Sequence, residues 1–593
     1  MALQSKLDIY IGGTPITSFK TFSLKQKITE HHDFELVCRT DVLEQLSGEM
    51  VSQTKNFLGE SFIVQIKALG FAGGYKELAF KGIVTSVNST KGFQNSTGDS
   101  VVISGKSSSI IADDGPHYAS HNDIPLSDIL QKTFQGYDTS MLALAFDPTK
   151  TDALHYSVQQ NESSYEYATR LAAQYSEWFY YNGGSLVFGK TEYDTVPLSY
   201  GIDLQEFSLK LAPKPNKYKY FTNDYLTDAQ HEKSTAEVDT GVNGFNQFTN
   251  DKSEAIFAKE TAVYINSYDD AKLKQRLDNH VIQQKKATVV NQVIVKGKSD
   301  NPGVNLGDVV TIQDDMTGYG SFRIIKVTHS ASENGKYQNE FEGITAELDV
   351  YPNTDMMAFP KSETQIATVM ENVDPDGLSR IRVQFPWQKP YGELTPWLRV
   401  VSPHAGGEKG FHFIPEKGEE VLIGFEGGNA ERPYVMGSLY TGAAQPGAFQ
   451  SDANDIKAIQ SRSGTKLVLD DKEGSTTITD QGTAGIKLDG NGLLISQANE
   501  KFEVNVGDKS STLVMDKDGK IDIVAKEIFQ VVVGESSLIL KKDGTIELKG
   551  KNITVIGDTI GLSGNDNISV ISKNSQVYLD GNAKIIGSNV DIN

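Results

Sequence analysis

Two short stretches, Gly105-Lys106-Ser107 and Gly297-Lys298-Ser299, end like the loop that cradles nucleotide phosphates with backbone N–H groups and a lysine. The glycine that must open such a loop is missing, because Ser100 and Gln292 stand in its place. Asn372-Val373-Asp374-Pro375-Asp376-Gly377 begins like a calcium loop. The glutamate that should close the loop falls where Val383 stands, so a plain turn is the better reading. His31-His32 has no glutamate or third histidine at helical spacing, and His404 and His412 have no cysteine beside them. There is no HExxH zinc-hydrolase motif and no GxSxG elbow. Each histidine therefore reads as a surface or packing residue. A glycosidase pair could hide among 77 acidic residues, but no spacing singles one out. The sequence predicts no catalytic, cofactor-binding or metal-ligating residue. The protein is expected not to be an enzyme.

Composition narrows the remaining classes. Across 593 residues, 56 Lys and Arg face 77 Asp and Glu, a formal charge of −21. That acidic excess argues against nucleic acid as a partner, because phosphate affinity needs clustered bases. The strongest basic group, Arg380, Arg382 and Arg399, is broken by apolar residues and followed by acidic ones. Cys38 is the one cysteine, so no intrachain disulfide can form. The opening MALQSKLDIY lacks a basic segment followed by an apolar one, and no run nears the roughly 20 apolar residues of a membrane helix. The expectation is a chain made soluble in the cytoplasm.

The elements that carry these residues change along the chain. All 18 prolines, 3 tryptophans and 10 histidines precede residue 450. Residues 451–593 hold 16 glycines and short alternating apolar runs such as Lys466-Leu467-Val468-Leu469, the pattern of strands joined by tight turns. Leu513-Val514-Met515-Asp516-Lys517-Asp518-Gly519-Lys520-Ile521 returns 25 residues later as Leu538-Ile539-Leu540-Lys541-Lys542-Asp543-Gly544-Thr545-Ile546. Such a degenerate strand-turn-strand repeat points to a β-rod. The first 355 residues read as strands with helical inserts. Leu126, Ile129 and Leu130 suggest a helix over 125–134. Tyr165, Ala168, Leu171, Ala172 and Tyr175 suggest a second, with Asn161 as a candidate cap, and a third is expected over 267–285. After the second helix, Trp178-Phe179-Tyr180-Tyr181, Gly183-Gly184 and Ser185-Leu186-Val187-Phe188-Gly189 read as strand, turn and return strand. Trp387 and Trp397, each beside a proline, read as anchors beneath the loops of a small barrel rather than stacking platforms.

Between Gln365 and Gly442 the motifs run Asp374-Pro375-Asp376-Gly377-Leu378, Arg380-Ile381-Arg382-Val383-Gln384-Phe385-Pro386-Trp387, Gly410-Phe411-His412-Phe413-Ile414-Pro415 and Glu431-Arg432-Pro433-Tyr434-Val435-Met436-Gly437-Ser438. This block resembles the oligomer-fold (OB) barrel of the VgrG spikes of type VI secretion systems, which are related to contractile-phage hub-and-spike proteins. Tyr156 to Ser164 resembles the family's hub, and Gln460 to Leu467 the opening of its spike. The family's Val-Gly dipeptides are sparse, at Val506-Gly507 and Val533-Gly534. The resemblance implies a mainly β protein. Its parts are a β-barrel-rich hub of two barrel-like halves with helical inserts over 1–355, an OB-fold barrel over 356–445, and a C-terminal trimeric β-helix or β-prism rod over 446–593. It implies a homotrimer that seats its hub on an Hcp tube hexamer, meets baseplate components, carries secreted effectors, and is injected into target cells without a signal peptide. The linker around 441–447 leaves no room for a catalytic domain between barrel and rod. The last strands, 583–587 and 589–593, would leave a blunt end. Gly587, Ser588, Asn589, Val590, Asp591, Ile592 and Asn593 are therefore the expected seat of a PAAR-repeat tip protein. A trimeric β-fibre adhesin, or a spike with a cryptic cell-wall hydrolase activity, is the alternative.

Overall fold

The computed structural model describes all residues except 1–3, 40–53, 70–74, 91–99, 268–269, 572, 575–577, 579–580, 582–583 and 592–593. The chain divides into two compact units, Met1–Gln445 and Pro446–Asn593. No helix among the described residues is long and apolar enough to cross a membrane.

A 13-stranded sheet organises the first unit. Its strands come from both ends of the hub sequence. Gly318–Ser332 pairs antiparallel with Thr21–Lys27, in register from Lys326 opposite Lys27 to Ser332 opposite Thr21. Strands from the two halves of the hub are thus joined in one sheet, and the described strands form no continuous closed barrel. The period-two pattern explains the burial. In Ser100–Ser107, Val101, Ile103, Gly105 and Ser107 are buried while their neighbours are partly exposed. Phe34 and Phe62 stack at 4.0 Å beneath that face. The strand Phe179–Tyr181 turns at Asn182, whose side-chain Oδ1 accepts from the Gly184 and Ser185 amides, and returns as Ser185–Gly189.

Among the described residues four α-helices interrupt the strands: α1 (Leu126–Thr133), α2 (Ser164–Tyr175), α3 (Gly244–Ile256) and α4 (Leu273–Val290). The first two bury the apolar stripes read from sequence. The cap of α2 is Ser163, not Asn161. Ser163 Oγ accepts from the Glu166 amide while the Glu166 carboxylate accepts from the Ser163 amide, a reciprocal box that satisfies two free donors. Asn161 lies two residues earlier, at a bulge in the strand Ala153–Glu162 with a left-handed φ of 57°. The helix α4 starts and ends later than the sequence predicts, and α3 is not foreseen at all.

The strands Gln365–Glu371, Arg382–Gln384, Glu420–Phe425 and Pro433–Leu439 form a four-stranded sheet. Isolated bridges Ile381–Leu398 and Val400–Val435 link its outer strands through residues 398–400. Inside lie Ala367, Val369, Ile381, Val383, Phe385, Leu398, Val421, Ile423 and Val435.

The second unit is built of antiparallel meanders: one of five strands from Ile456 to Gln497, then two of three strands, Lys501 to Ala525 and Ile528 to Lys549. The 25-residue repeat is the second and third strand of each three-stranded meander. Its turns close alike, with Gly519 and Gly544 at φ 84° and 88°, where glycine carries no Cβ penalty. Among the described residues of this unit no apolar side chain is buried, and Ser475 is the one buried residue. The strands expected over 583–593 do not form among the described residues, which carry no strand beyond Lys549. A strand there would need neighbours to accept its hydrogen bonds, and a single chain supplies none.

Candidate functional site

Both phosphate-loop look-alikes are strand interiors. Gly105 lies so close to Phe34 and the Ile83 carbonyl that a Cβ would sit 2.0 Å from that oxygen, and Lys106 pairs with Asp33 at 2.8 Å. Gly297 accommodates the ring of Phe341 in the same way. The calcium look-alike is an arginine-braced turn. Asp374 accepts from the amides of Asp376, Leu378 and Arg380 and from the Arg380 guanidinium. Those bonds, led by the one from Arg380, hold its carboxyl down to about 2, and they occupy the oxygens a cation would need. Arg382 pairs with Glu371 at 3.3 Å, and Arg399 lies over Tyr225 at 4.7 Å. The basic trio is thus divided among separate internal contacts.

The histidines have structural surroundings. His412 Nε2 and Ser379 Oγ are 3.1 Å apart, while His404 contributes its carbonyl to Phe411. His31 Nδ1 lies 2.8 Å from Ser109 Oγ, and its Nε2 lies 3.4 Å from Asp113. That order imitates a nucleophile, base and orienting acid. Ser109 is nonetheless fully buried, and the His31 ring lies tilted against Tyr165, centroids 3.9 Å apart. A deeper relay crosses the hub core. The Tyr337 hydroxyl donates to His329 Nδ1 (2.7 Å), His329 Nε2 donates to Gln26 Oε1 (3.0 Å), and Gln26 Nε2 donates to His32 Nδ1 (3.2 Å). Burial pushes His32 and His329 down to about 3, so both rings are neutral.

The most elaborate polar assembly joins the hub to the OB domain. The antiparallel pair His117–Pro125 and Ala153–Glu162 presents its backbone to two carboxylates from the other side. Glu393 accepts from the Ser120 amide (2.9 Å) and hydroxyl (3.0 Å), Gln388 donates to Ser120 Oγ (2.7 Å), and Asn122 donates to the Leu394 carbonyl. Glu431, 2% exposed, accepts from the Val158 amide (3.2 Å). Arg170 lies 3.6 Å from it and holds Glu162 through two bonds of 2.7 and 2.9 Å. Burial raises the Glu431 carboxyl, and Arg170 opposes that shift. Trp387 closes the seam: it stacks on Phe385 at 5.3 Å, donates to Gln365 and touches Tyr118. No spacing rule could find a clamp whose partners stand more than 250 residues apart.

Of the expected tip-partner residues, Gly587, Ser588, Asn589, Val590 and Asp591 are exposed. Ile592 and Asn593 lie outside the described residues.

Residues 365–440 match the type VI secretion system/phage-baseplate injector OB domain. The chain is similar to the spike protein VgrG2a of Pseudomonas aeruginosa, 30% identical over 139 residues, which is 21% of this chain and 16% of that protein. It is similar to VgrG3 of Vibrio cholerae, 27% identical over 168 residues, or 25% of this chain and 16% of the relative. These matches therefore span about a sixth of each relative's length. Among solved structures, a chain of the lidless PdpA–VgrG complex aligns with TM-score 0.49 at 8% identity, covering 88% of this chain and 98% of that one. An E. coli type VI secretion component, described as structurally similar to T4 tail proteins gp27 and gp5, aligns with TM-score 0.46 at 15% identity, over 73% and 99%.

Proposed function

We propose that this chain is a VgrG-type spike of a contractile injector, working as a homotrimer without catalysis. The injector OB domain at 365–440 carries the reading. Its clamp onto the hub supports it, because a part that transmits thrust must not hinge at its neck. The core-less second unit supports the trimer. Ile478, Leu488, Leu494, Val506, Ile523, Val533 and Ile546 are between 52% and 74% exposed. Burying each stabilises by roughly 1.5–3 kcal/mol, and two further copies of the same chain present the same strands for that burial. On this reading the hub seats on an Hcp tube hexamer among baseplate components. The chain stays in the cytoplasm until firing and then enters target cells with its effectors. A PAAR-repeat protein caps Gly587 to Asn593.

Native mass measurement of the full chain should give three times the chain mass at micromolar concentration, and a well-folded monomer would overturn the assembly. Deleting 587–593 should abolish capture of the tip protein by an intact trimer; unchanged capture would move that partner elsewhere. Peptidoglycan, phospholipid and nucleotide hydrolysis should match buffer, and turnover abolished by one Asp or Glu substitution would overturn the non-catalytic reading.

A further inference from the structure

A cavity of ≈ 390 Å³ on the sheet near Lys296 and Glu340 has Lys296 paired with Glu342 and Lys298 paired with Glu340 across its wall. A second cavity differs. It opens beside the hub–OB clamp, measures ≈ 690 Å³, and takes walls from the strand His117–Pro125, from α1 and from the OB segment that carries Tyr391 and Glu393. That volume lies within the roughly 300–1,000 Å³ of small-molecule sites.

Three tyrosines, Tyr118, Tyr137 and Tyr391, line it, with Tyr391 67% exposed and Tyr118 37% exposed. Amphipathic rings at a mouth offer apolar faces with a polar edge. Two carboxylates stand among them. Asp114 accepts from the Tyr137 hydroxyl (2.8 Å) and lies 3.0 Å from His117 Nε2. Glu393 holds Ser120 through Oε2 alone. Each carboxylate is fixed in place with acceptor sites to spare. His121 forms part of the wall, is 6% exposed, and has no hydrogen-bond partner at either ring nitrogen. Both nitrogens lie beneath the cavity surface, so the ring contributes an apolar, uncharged wall. Burial, with Lys132 adding to it, pushes His121 down to about 4, so the ring stays neutral.

The same inventory sorts ligand classes. Lys132 is the one ammonium among the described lining residues, and two carboxylates face it, so an anion such as phosphate is disfavoured. A neutral molecule rich in hydroxyls answers the tyrosines and the carboxylates. Its C–H faces lie on tyrosine rings, and its O–H groups donate to the carboxylates.

We propose that this cavity is a binding site for a neutral saccharide of one or two rings. The site does not depend on the spike reading, because its walls are complete within one chain.

The test is calorimetric titration of the full chain with cellobiose, maltose and N,N′-diacetylchitobiose, with inorganic phosphate as the anion control. At least one disaccharide should bind saturably with a dissociation constant on the order of 1 mM or lower. Y391A and D114N should each weaken binding about tenfold or more. Both residues are at the surface, so the urea midpoint should not move, and a variant that lost binding by unfolding would be recognised there. No saturable binding by any of the three sugars would overturn the proposal. So would unchanged affinity in both variants, or displacement of the sugar by phosphate.

Discussion

At Glu431 a carboxylate from the OB domain sits 2% exposed inside the hub, and its fate depends on Arg170. A buried charge left without its partner costs about 3–5 kcal/mol, whereas replacing both partners by apolar groups of similar size is often neutral. R170A should therefore lower the urea-unfolding free energy of the first unit by about that amount, and the double variant R170M/E431L should recover the part owed to Glu431, the remainder staying with Glu162, which also loses its arginine. A double variant no better than R170A would show that Glu431 matters through its bond to the Val158 amide rather than through charge. Cys38 gives a second residue-scale test. It is fully buried, and burial pushes its thiol up to about 12. Maleimide should leave the folded chain unlabelled and label it stoichiometrically in urea; rapid labelling of the native chain would refute the buried placement. The sequence showed that Cys38 could not bridge within the chain, and it placed Trp387 beneath a loop. It could not show that Trp387 also meets Tyr118 of the hub, because that contact exists only once two distant segments dock.

Among the elements, α3 inverts the usual rule. Its buried positions are Asn246, Thr249, Asn250 and Ser253, while Phe245, Phe248 and Ile256 are 45%, 55% and 63% exposed. Ser253 Oγ accepts from the Lys214 amide and lies 3.0 Å from both Gln292 Oε1 and the Thr249 carbonyl, one of which takes its proton, and Asn246 donates to the Val289 carbonyl. The helix is held by hydrogen bonds that water cannot reach. S253L should destabilise by about 1–3 kcal/mol, by overpacking and by stranding Gln292. F248S should change stability by less than about 0.5 kcal/mol in the isolated chain. Equal losses in urea melts would contradict the assignment of faces. The inversion also explains why α3 was illegible: a search for apolar periodicity looks for a buried stripe, and here that stripe is polar. The helices α1 and α2 were legible because their stripes are apolar. The cap of α2 was misplaced by two residues because Asn161 and Ser163 are both cap types, and only the reciprocal bond to Glu166 separates them. The repeat was legible because Gly519 and Gly544 mark turns that demand a positive φ. The clamp residues Glu393 and Glu431 carried no sequence signal beyond lying in a family-like block, since a carboxylate's partner across 270 residues has no period.

Over the whole molecule, acid sets two effects against each other. A chain of formal charge −21 repels itself less as carboxylates take up protons, and three such chains would gain more. Most carboxylates titrate below about pH 5, however, and histidines titrate first. His32 and His329, both fully buried, are pushed down to about 3, and His121 to about 4. The unfolded chain protonates these rings near 6.5, while the folded chain refuses the proton until well below that. The unfolded state thus binds more protons between those limits, and stability must fall as pH falls through that window. Geometry gives the same sign. A proton on His32 Nδ1 would face the Gln26 amide that now donates to it, and one on His329 Nδ1 would face the Tyr337 hydroxyl, so the relay admits only neutral rings. Each histidine contributes about 1 kcal/mol per pH unit, so the first unit should lose several kcal/mol between pH 6.5 and 5. Carboxylate titration can offset little of this in that range. Urea midpoints measured at pH 7, 6 and 5 should fall steadily, and the H329N variant should show a shallower slope. A midpoint that stayed level or rose toward pH 5 would mean that charge repulsion, not the buried histidines, governs the stability of the hub.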